Sequence, residues 1–95
     1  MKHFNELTPA EAERLAILME ECGEVVRVCG KILRHGYESY HPKNGAVNRE
    51  SLENELGDMA NIIDMMIQAG DLDVEKIEEY QDKKAANIGE YLHHN

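Results

Sequence analysis

The chain has 95 residues, 42% hydrophobic and 31% charged, a balance typical of one small globular domain. Its 19 acidic and 10 basic residues give a net charge of −9, which disfavours nucleic acid and anionic membrane surfaces as partners. No apolar run reaches the ~20 residues of a membrane span, and the N-terminus lacks an apolar signal core, so we expect a cytoplasmic protein. So short a domain buries a modest core, and we therefore expect copies of the chain to associate.

The first predicted helix begins in the sequence LTPAE. Thr8 can cap a helix, Pro9 suits the first helical position, and Glu11 completes a Thr-x-x-Glu capping box. Helical spacing of apolar residues continues to Arg34, and Gly36 is the predicted stop. The residues predicted to face the core from this helix are Leu15, Leu18, Cys22, Val25, Val26, Cys29, Ile32 and Leu33.

The two cysteines, Cys22 and Cys29, are seven residues apart on this helix, about 10 Å along its axis. That separation is too long for a disulfide bond. No further Cys or His pair follows at the spacing of zinc ligands. We therefore expect reduced thiols packed in the core.

Two more helices are predicted after a loop at residues 35–47, where Gly, Pro and Asn interrupt any regular period. Asn48 is the predicted cap of the second helix, which Gly70 ends, and Asp71 or Asp73 caps the third. The inward residues predicted for these helices are Leu52, Leu56, Met59, Ile63, Met66 and Ile67, then Val74, Ile77, Ala85, Ile88 and Leu92. No segment alternates like a strand, so we predict an all-α bundle completed by oligomerisation. It is a single domain over residues 1–95, with helices at about 9–34, 49–69 and 74–92.

Two acidic pairs interrupt this apolar pattern. On a helical wheel, Glu21 and Glu24 lie between two apolar residues, on a stripe that borders the main apolar face of the first helix. Glu55 and Asp58 repeat the arrangement on the second helix. If the helices pack side by side, four carboxylates converge, and neither stripe contains Lys or Arg to neutralise them. Hard divalent cations such as Mg²⁺ prefer oxygen ligands, so the pattern predicts a metal cage, with a solvated acidic face as the alternative.

The segments EECGE (20–24) and ELGD (55–58) resemble the signature of the all-α nucleoside triphosphate pyrophosphohydrolases, a superfamily that includes MazG-like proteins. The runs EECGEVVRVCGKI and NIIDMMI are also MazG-like, and the resemblance covers roughly residues 10–90. It implies a helical homodimer or homotetramer in which a neighbouring subunit helps to complete the site. It also implies hydrolysis of a nucleoside triphosphate to monophosphate and pyrophosphate, in nucleotide-pool housekeeping or regulation.

By this resemblance, Glu21, Glu24, Glu55 and Asp58 are the Mg²⁺ ligands, with Mn²⁺ as a substitute ion. Glu20 supports the site from behind the ligands, and Glu24 or Glu21 also accepts a proton from the attacking water. The side chains expected to contact substrate phosphates are Lys31, Lys83, Lys84 and Asn87. A solvated helix face is the alternative for these four.

Three aromatic residues could contact the nucleotide base. Tyr37, Tyr40 and Phe4 are candidates to stack on a base, with packing as their alternative role.

Phosphoribosyl-ATP pyrophosphatases follow the second motif with a Tyr-His pair that is missing here, and dimeric dUTPases are longer, so a minimal MazG-like chain fits best. MazG-like chains often carry an Arg in the last helix, and none follows Lys84. Two alternatives without catalysis stay open: a helical oligomeric scaffold and a nucleotide sensor.

Overall fold

Three α-helices and one short 3₁₀ helix make up the computed structural model of the protein, which describes residues 4–40 and 42–94. Their bounds are α1 at Pro9–His35, α2 at Asn48–Gln68, α3 at Val74–Asn87 and the 3₁₀ helix at Ile88–Tyr91. No strand occurs in the described ranges, so the predicted all-α class is confirmed. Among these helices, none is both long and apolar enough to span a membrane.

The chain divides into two compact units, Met1–Met65 and Met66–Asn95. The first unit holds α1 and most of α2, and the second holds α3 and the 3₁₀ helix. The acidic pairs on α1 and α2 both belong to the first unit.

Local hydrogen bonds define both ends of α1, as predicted. The Thr8 side chain accepts a bond from the Glu11 amide at 3.1 Å, and the Glu11 carboxylate accepts one from the Thr8 amide at 2.8 Å. This reciprocal pair is the predicted capping box. At the other end, Gly36 adopts φ +87°, where a β-carbon would be strained, and its amide donates to the Ile32 carbonyl at 2.7 Å.

The end of α2 is also set locally. Gly70 adopts φ +85°, and its amide donates to the Ile67 carbonyl at 3.0 Å. The next amide, of Asp71, reaches back to the Met66 carbonyl at 2.9 Å. These two bonds form a Schellman motif, which satisfies carbonyls that the helix itself leaves unpaired. The predicted stop at Gly70 is therefore confirmed.

The start of α2 differs from the prediction, because Asn48 is the first residue of the helix and not its cap. Its buried side-chain amide donates to the Gly36 carbonyl at 3.1 Å, and its backbone amide donates to the Ser39 carbonyl at 2.8 Å. An isolated antiparallel bridge between Tyr40 and Val47 lies within the same loop. Asn48 thus joins the two ends of the loop between α1 and α2.

In α3, the predicted cap is confirmed and the predicted end is wrong. The Asp73 side chain accepts a bond from the backbone of the first turn at 2.9 Å. The α-helix ends at Asn87 rather than at residue 92, and the chain continues as the 3₁₀ helix. Gly89 lies in that segment, where its poor helix propensity favours a change to the tighter turn.

Burial on α1 corrects the predicted core face. Five of the predicted core residues are exposed: Leu15, Cys22, Val26, Cys29 and Leu33. Three are half-buried: Leu18, Val25 and Ile32. The apolar arc of α1 extends around more than half of the helix, which is wider than one neighbouring helix covers. The two free cysteines are consequently exposed rather than packed in a core.

The other two helices agree with the prediction to different degrees. On α2, Met66 is buried, while Leu56 is exposed against the prediction. The half-buried members of the predicted α2 face are Leu52, Met59, Ile63 and Ile67. On α3, Ile77 is half-buried. The remaining residues predicted to face inward from the third helix are exposed: Val74, Ala85, Ile88 and Leu92.

Candidate metal centre

The acidic pair of α1 lies on the most buried side of that helix. Glu21 and Glu24 are both half-buried, and so is Ile17, one turn earlier. Val28, one turn after Glu24, is 1% exposed. The predicted stripe of Ile17, Glu21, Glu24 and Val28 is therefore not the border of the buried face but its centre.

The acidic pair of α2 has a similar setting. Glu55 is half-buried and Asp58 is exposed. Ile62 lies one turn beyond Asp58 and is 1% exposed, matching the position of Val28 on α1. In both helices, the second acid of the pair lies about one turn before a fully buried side chain, and the first acid lies about two turns before it.

Three carboxylates from the two helices converge. One oxygen from each of Glu21, Glu55 and Asp58 lies within 4.8 Å of the other two. The three-residue interval places Glu55 and Asp58 on one side of α2, and Glu21 approaches them from α1. Opposite ligands of a divalent cation are about 4–5 Å apart, so the cluster has the dimensions of a cation site.

Repulsion within this cluster affects Glu21 most. Partial burial raises the pKa of Glu21 above its ordinary value of 4.5. The negative charges of Asp58 and Glu55, and then of Glu20 and Glu24, raise this pKa further. A cation bound between the carboxylates would remove this unfavourable interaction, because it would favour the ionised form of each one.

Glu24, the fourth predicted ligand, is outside the cluster. Its Oε2 accepts hydrogen bonds from Arg27 Nη2 at 2.9 Å and Nε at 3.1 Å. Arg27 is not on the acidic stripe, so the stripe did not predict this ion pair, although residues three apart on a helix are neighbours. Ligation by Glu24 stays a prediction, and it requires the carboxylate to exchange Arg27 for the metal.

The predicted phosphate contacts on α3 lie in the second unit. Lys83, Lys84 and Asn87 are all exposed. The Lys84 ammonium is 5.8 Å from the centre of the Tyr91 ring, within the range of a cation–π interaction. Contact between these three residues and a substrate therefore stays a prediction. Glu20, the predicted supporting residue, is exposed on α1 and influences the site through the charge that it places near Glu21.

Lys31, unlike the three candidates on α3, lines a pocket that its position in the sequence did not predict. It is half-buried and lines a pocket of about 250 Å³ between α1 and the following loop. The other residues lining this pocket include Arg34, His35, Ser39, Tyr40 and Asn48. Lys31 is seven residues after Glu24, so it lies about 10 Å further along the same side of α1. The pocket forms only when the loop folds back, so helical spacing gave no signal for it.

The aromatic candidates differ in their surroundings. Tyr40 lines this pocket, whereas the Tyr37 ring is covered by the Arg49 guanidinium, 4.4 Å from the ring centre. Arg49 in turn donates to Glu38 at 2.7 Å. Tyr40 is therefore better placed than Tyr37 to receive a base.

Comparisons with protein-family models, with curated proteins and with solved structures found no match to this chain. The resemblance to MazG-like proteins consequently depends on the residues of EECGE and ELGD themselves.

Proposed function

We propose that this protein is a Mg²⁺-dependent nucleoside triphosphate pyrophosphohydrolase that cleaves (d)NTPs between the α and β phosphates. The observation that carries the proposal is the cluster of Glu21, Glu55 and Asp58, whose carboxylate oxygens lie within 4.8 Å of one another. These residues come from the two acidic motifs that resemble the superfamily signature. Their convergence supports a shared role for motifs that are distant along the chain.

The donor set fits Mg²⁺. All three side chains offer hard, negatively charged oxygens, which Mg²⁺ prefers in octahedral geometry. If each carboxylate supplied one oxygen, three of the six positions would remain for water and for phosphate oxygens. Such a partly filled coordination sphere is typical of sites that act on nucleotides, in contrast to closed structural sites.

Each part of the reaction has a candidate in this chain. When bound, Mg²⁺ would lower the pKa of a coordinated water and offset the negative charge of the phosphates. Glu21, Glu55 and Asp58 would hold the ion, and Glu24 or Glu21 would accept the proton of the attacking water. Lys31, from its half-buried position on the same side of α1, would bind phosphate oxygens.

Product analysis tests this proposal. The protein is incubated with a panel of NTPs and dNTPs in Mg²⁺, and pyrophosphate and orthophosphate are detected separately. We expect monophosphate and pyrophosphate, loss of both in Asp58→Asn, and normal turnover in Glu53→Gln, which alters an exposed glutamate of α2 outside the cluster. Orthophosphate as the only phosphate product would contradict cleavage between the α and β phosphates.

A nucleotide sensor is the second candidate function, favoured by the ion pair between Arg27 and Glu24. This pair holds one of the four predicted ligands away from the cluster. A sensor would be stabilised against heat by Mg²⁺ and nucleotide together, because both bind the folded state, but it would release no product. A scaffold without a metal site would show neither stabilisation nor product.

A further inference from the structure

The pocket at the end of α1 is lined by basic and hydroxyl side chains, although the chain as a whole has a net charge of −9. Its basic residues are Lys31, Arg34 and His35, all from the last two turns of α1. Ser39 and Tyr40 add hydroxyl groups from the loop. Among the described residues, no Asp or Glu lines the pocket. The pocket therefore has the opposite charge to the rest of the protein.

The three basic side chains have no carboxylate partner in the part of the chain that the structure describes. Residues 4–40 and 42–94 contain no ion pair to Lys31, Arg34 or His35. Glu38, the acidic residue of the adjoining loop, instead accepts a hydrogen bond from Arg49 Nε at 2.7 Å. Unpaired cations that line one pocket repel each other, and an anion between them would offset that repulsion.

Hydrogen bonds to the start of α2 hold the loop wall of the pocket in place. The Asn48 side-chain amide donates to the Gly36 carbonyl at 3.1 Å, and its backbone amide donates to the Ser39 carbonyl at 2.8 Å. The Arg49 backbone amide donates to the Tyr37 carbonyl at 2.9 Å. Asn48 is 8% exposed, so its bonds are shielded from water. A ligand therefore meets a wall that is already formed and does not have to order the loop.

Val28 separates the pocket from the acidic cluster. Glu24, Val28, Lys31 and His35 follow one another at intervals of four, three and four residues, so they lie on one side of α1. Val28 is 1% exposed, so packing covers the helix between the acids and the bases. Lys31 and His35 lie about 10–16 Å beyond Glu24 along the axis. None of the three clustered carboxylates lines the pocket, which is therefore a separate set of side chains from the metal centre.

The donors of this pocket suit a phosphate group. Lys31 offers an ammonium group, Arg34 a guanidinium group and Ser39 a hydroxyl group. These donors belong to a helix and a loop on different sides of the pocket, which suits a tetrahedral anion better than a planar carboxylate. A phosphate group carries a charge of about −1.5 to −2 at neutral pH, which the positive charges of Lys31 and Arg34 would balance.

We propose that the pocket formed by Lys31, Arg34, His35 and Ser39 binds a phosphate group without a metal ion. The proposal is independent of the proposed function, because it requires neither Mg²⁺ nor turnover. The phosphate belongs either to a nucleotide held at the acidic cluster or to a separate phosphate-bearing molecule. The side chains that recognise it are the same in both cases.

A titration of the isotopically labelled protein with inorganic pyrophosphate, followed by NMR in EDTA at constant ionic strength, tests the proposal. We expect saturable shifts of backbone amide signals in residues 31–40 and no comparable shifts in residues 55–58. Lys31→Gln and Arg34→Gln should each weaken binding about tenfold, because each removes a charged hydrogen-bond donor. Lys76→Gln, which removes an exposed lysine of α3, is the matched control and should bind like wild type. Binding that requires Mg²⁺, or that neither pocket variant weakens, would overturn the proposal.

Asp58→Asn separates this proposal from the proposed function. The variant should lose turnover and still bind pyrophosphate in EDTA at least as tightly as wild type, because the pocket is unchanged. Loss of that binding in a folded Asp58→Asn protein would overturn the assignment of a separate pocket. A second titration, with Mg²⁺ and a non-hydrolysable nucleoside triphosphate, identifies the source of the phosphate. Competition with pyrophosphate would identify the terminal phosphate of the nucleotide, and simultaneous binding would identify a separate molecule.

Discussion

The two long faces of α1 have opposite chemistry and opposite exposure. One face carries Glu21, Glu24 and the 1% exposed Val28, while the other leaves Val26 70% exposed. In a helix whose only task is to complete a core, the apolar face would be buried and the acidic face would be in water. The arrangement on α1 is the reverse of this, with acids on the partly buried face and apolar residues on the exposed one.

The acidic face of α1 is partly buried, which restricts its side chains. The apolar face is exposed, which leaves it able to contact another surface. A metal site requires carboxylates at fixed mutual distances, and the three clustered oxygens lie within 4.8 Å of one another.

The largest expected effect is on catalysis. It tests whether Glu24 takes part in the reaction together with the three clustered carboxylates. We expect Glu24→Gln to lower kcat/KM about 100-fold or more, since loss of a ligand or base removes several kcal/mol of transition-state stabilisation. Circular dichroism should show unchanged helical content. Glu78→Gln, an exposed change on α3, is the control. Full activity in Glu24→Gln would restrict the site to the three clustered carboxylates.

Two valines on opposite faces of α1 provide a matched pair for stability. Val28→Ala should lower the free energy of unfolding by about 2 kcal/mol at any protein concentration, because it leaves a gap in a packed site. Val26→Ala should have little effect on unfolding in dilute protein, and it should mainly weaken association between copies of the chain. Urea unfolding at two protein concentrations measures both effects. Equal losses for the two variants in dilute protein would contradict the assignment of the faces.

The pH dependence of thermal stability probes repulsion on the acidic face. The folded-state pKa of Glu21 is raised, so this group favours folding below pH 4.5, and the benefit is lost as the pH rises through the raised pKa. Without metal, Glu21→Gln should therefore melt at a higher temperature than wild type at pH 7, and the difference should shrink below pH 4.5. Mg²⁺ should stabilise wild type more than the variant. A lower melting temperature for metal-free Glu21→Gln at pH 7 would contradict this account.

The smallest expected effect concerns the thiols of the apolar face. Cys22 and Cys29 are free and exposed, and both lie on α1. We expect a thiol reagent to modify them readily in dilute protein and several-fold more slowly at concentrations where copies of the chain associate, because association would cover this exposed apolar face. Leu33→Glu should remove this concentration dependence. Equal rates for wild type at all concentrations would argue against a covered face.

Spacing along the chain was sufficient to predict the acidic cluster, and insufficient to predict its surroundings. Four carboxylates were predicted to converge, because residues three apart on a helix share a side, and three of them do: Glu21, Glu55 and Asp58. The hydrogen bond from Arg27 to Glu24 was not predicted, because Arg27 lies outside the acidic stripe. The Lys31 pocket could not be predicted from the sequence, because it depends on the path of a loop that has no helical period.

The sequence by itself determined both ends of α1 and the end of α2. Thr8, Gly36 and Gly70 act through hydrogen bonds that reach at most five residues, so their effect is already present in a short segment. Only the tertiary structure decided which face of α1 is buried, because Val26 and Val28 are alike as residues and differ in what lies beside them. The same reason explains Asn48, whose side chain bonds to Gly36, twelve residues away, instead of capping α2. Burial depends on neighbours that are distant along the chain, and a local pattern does not specify which of two apolar sides they cover.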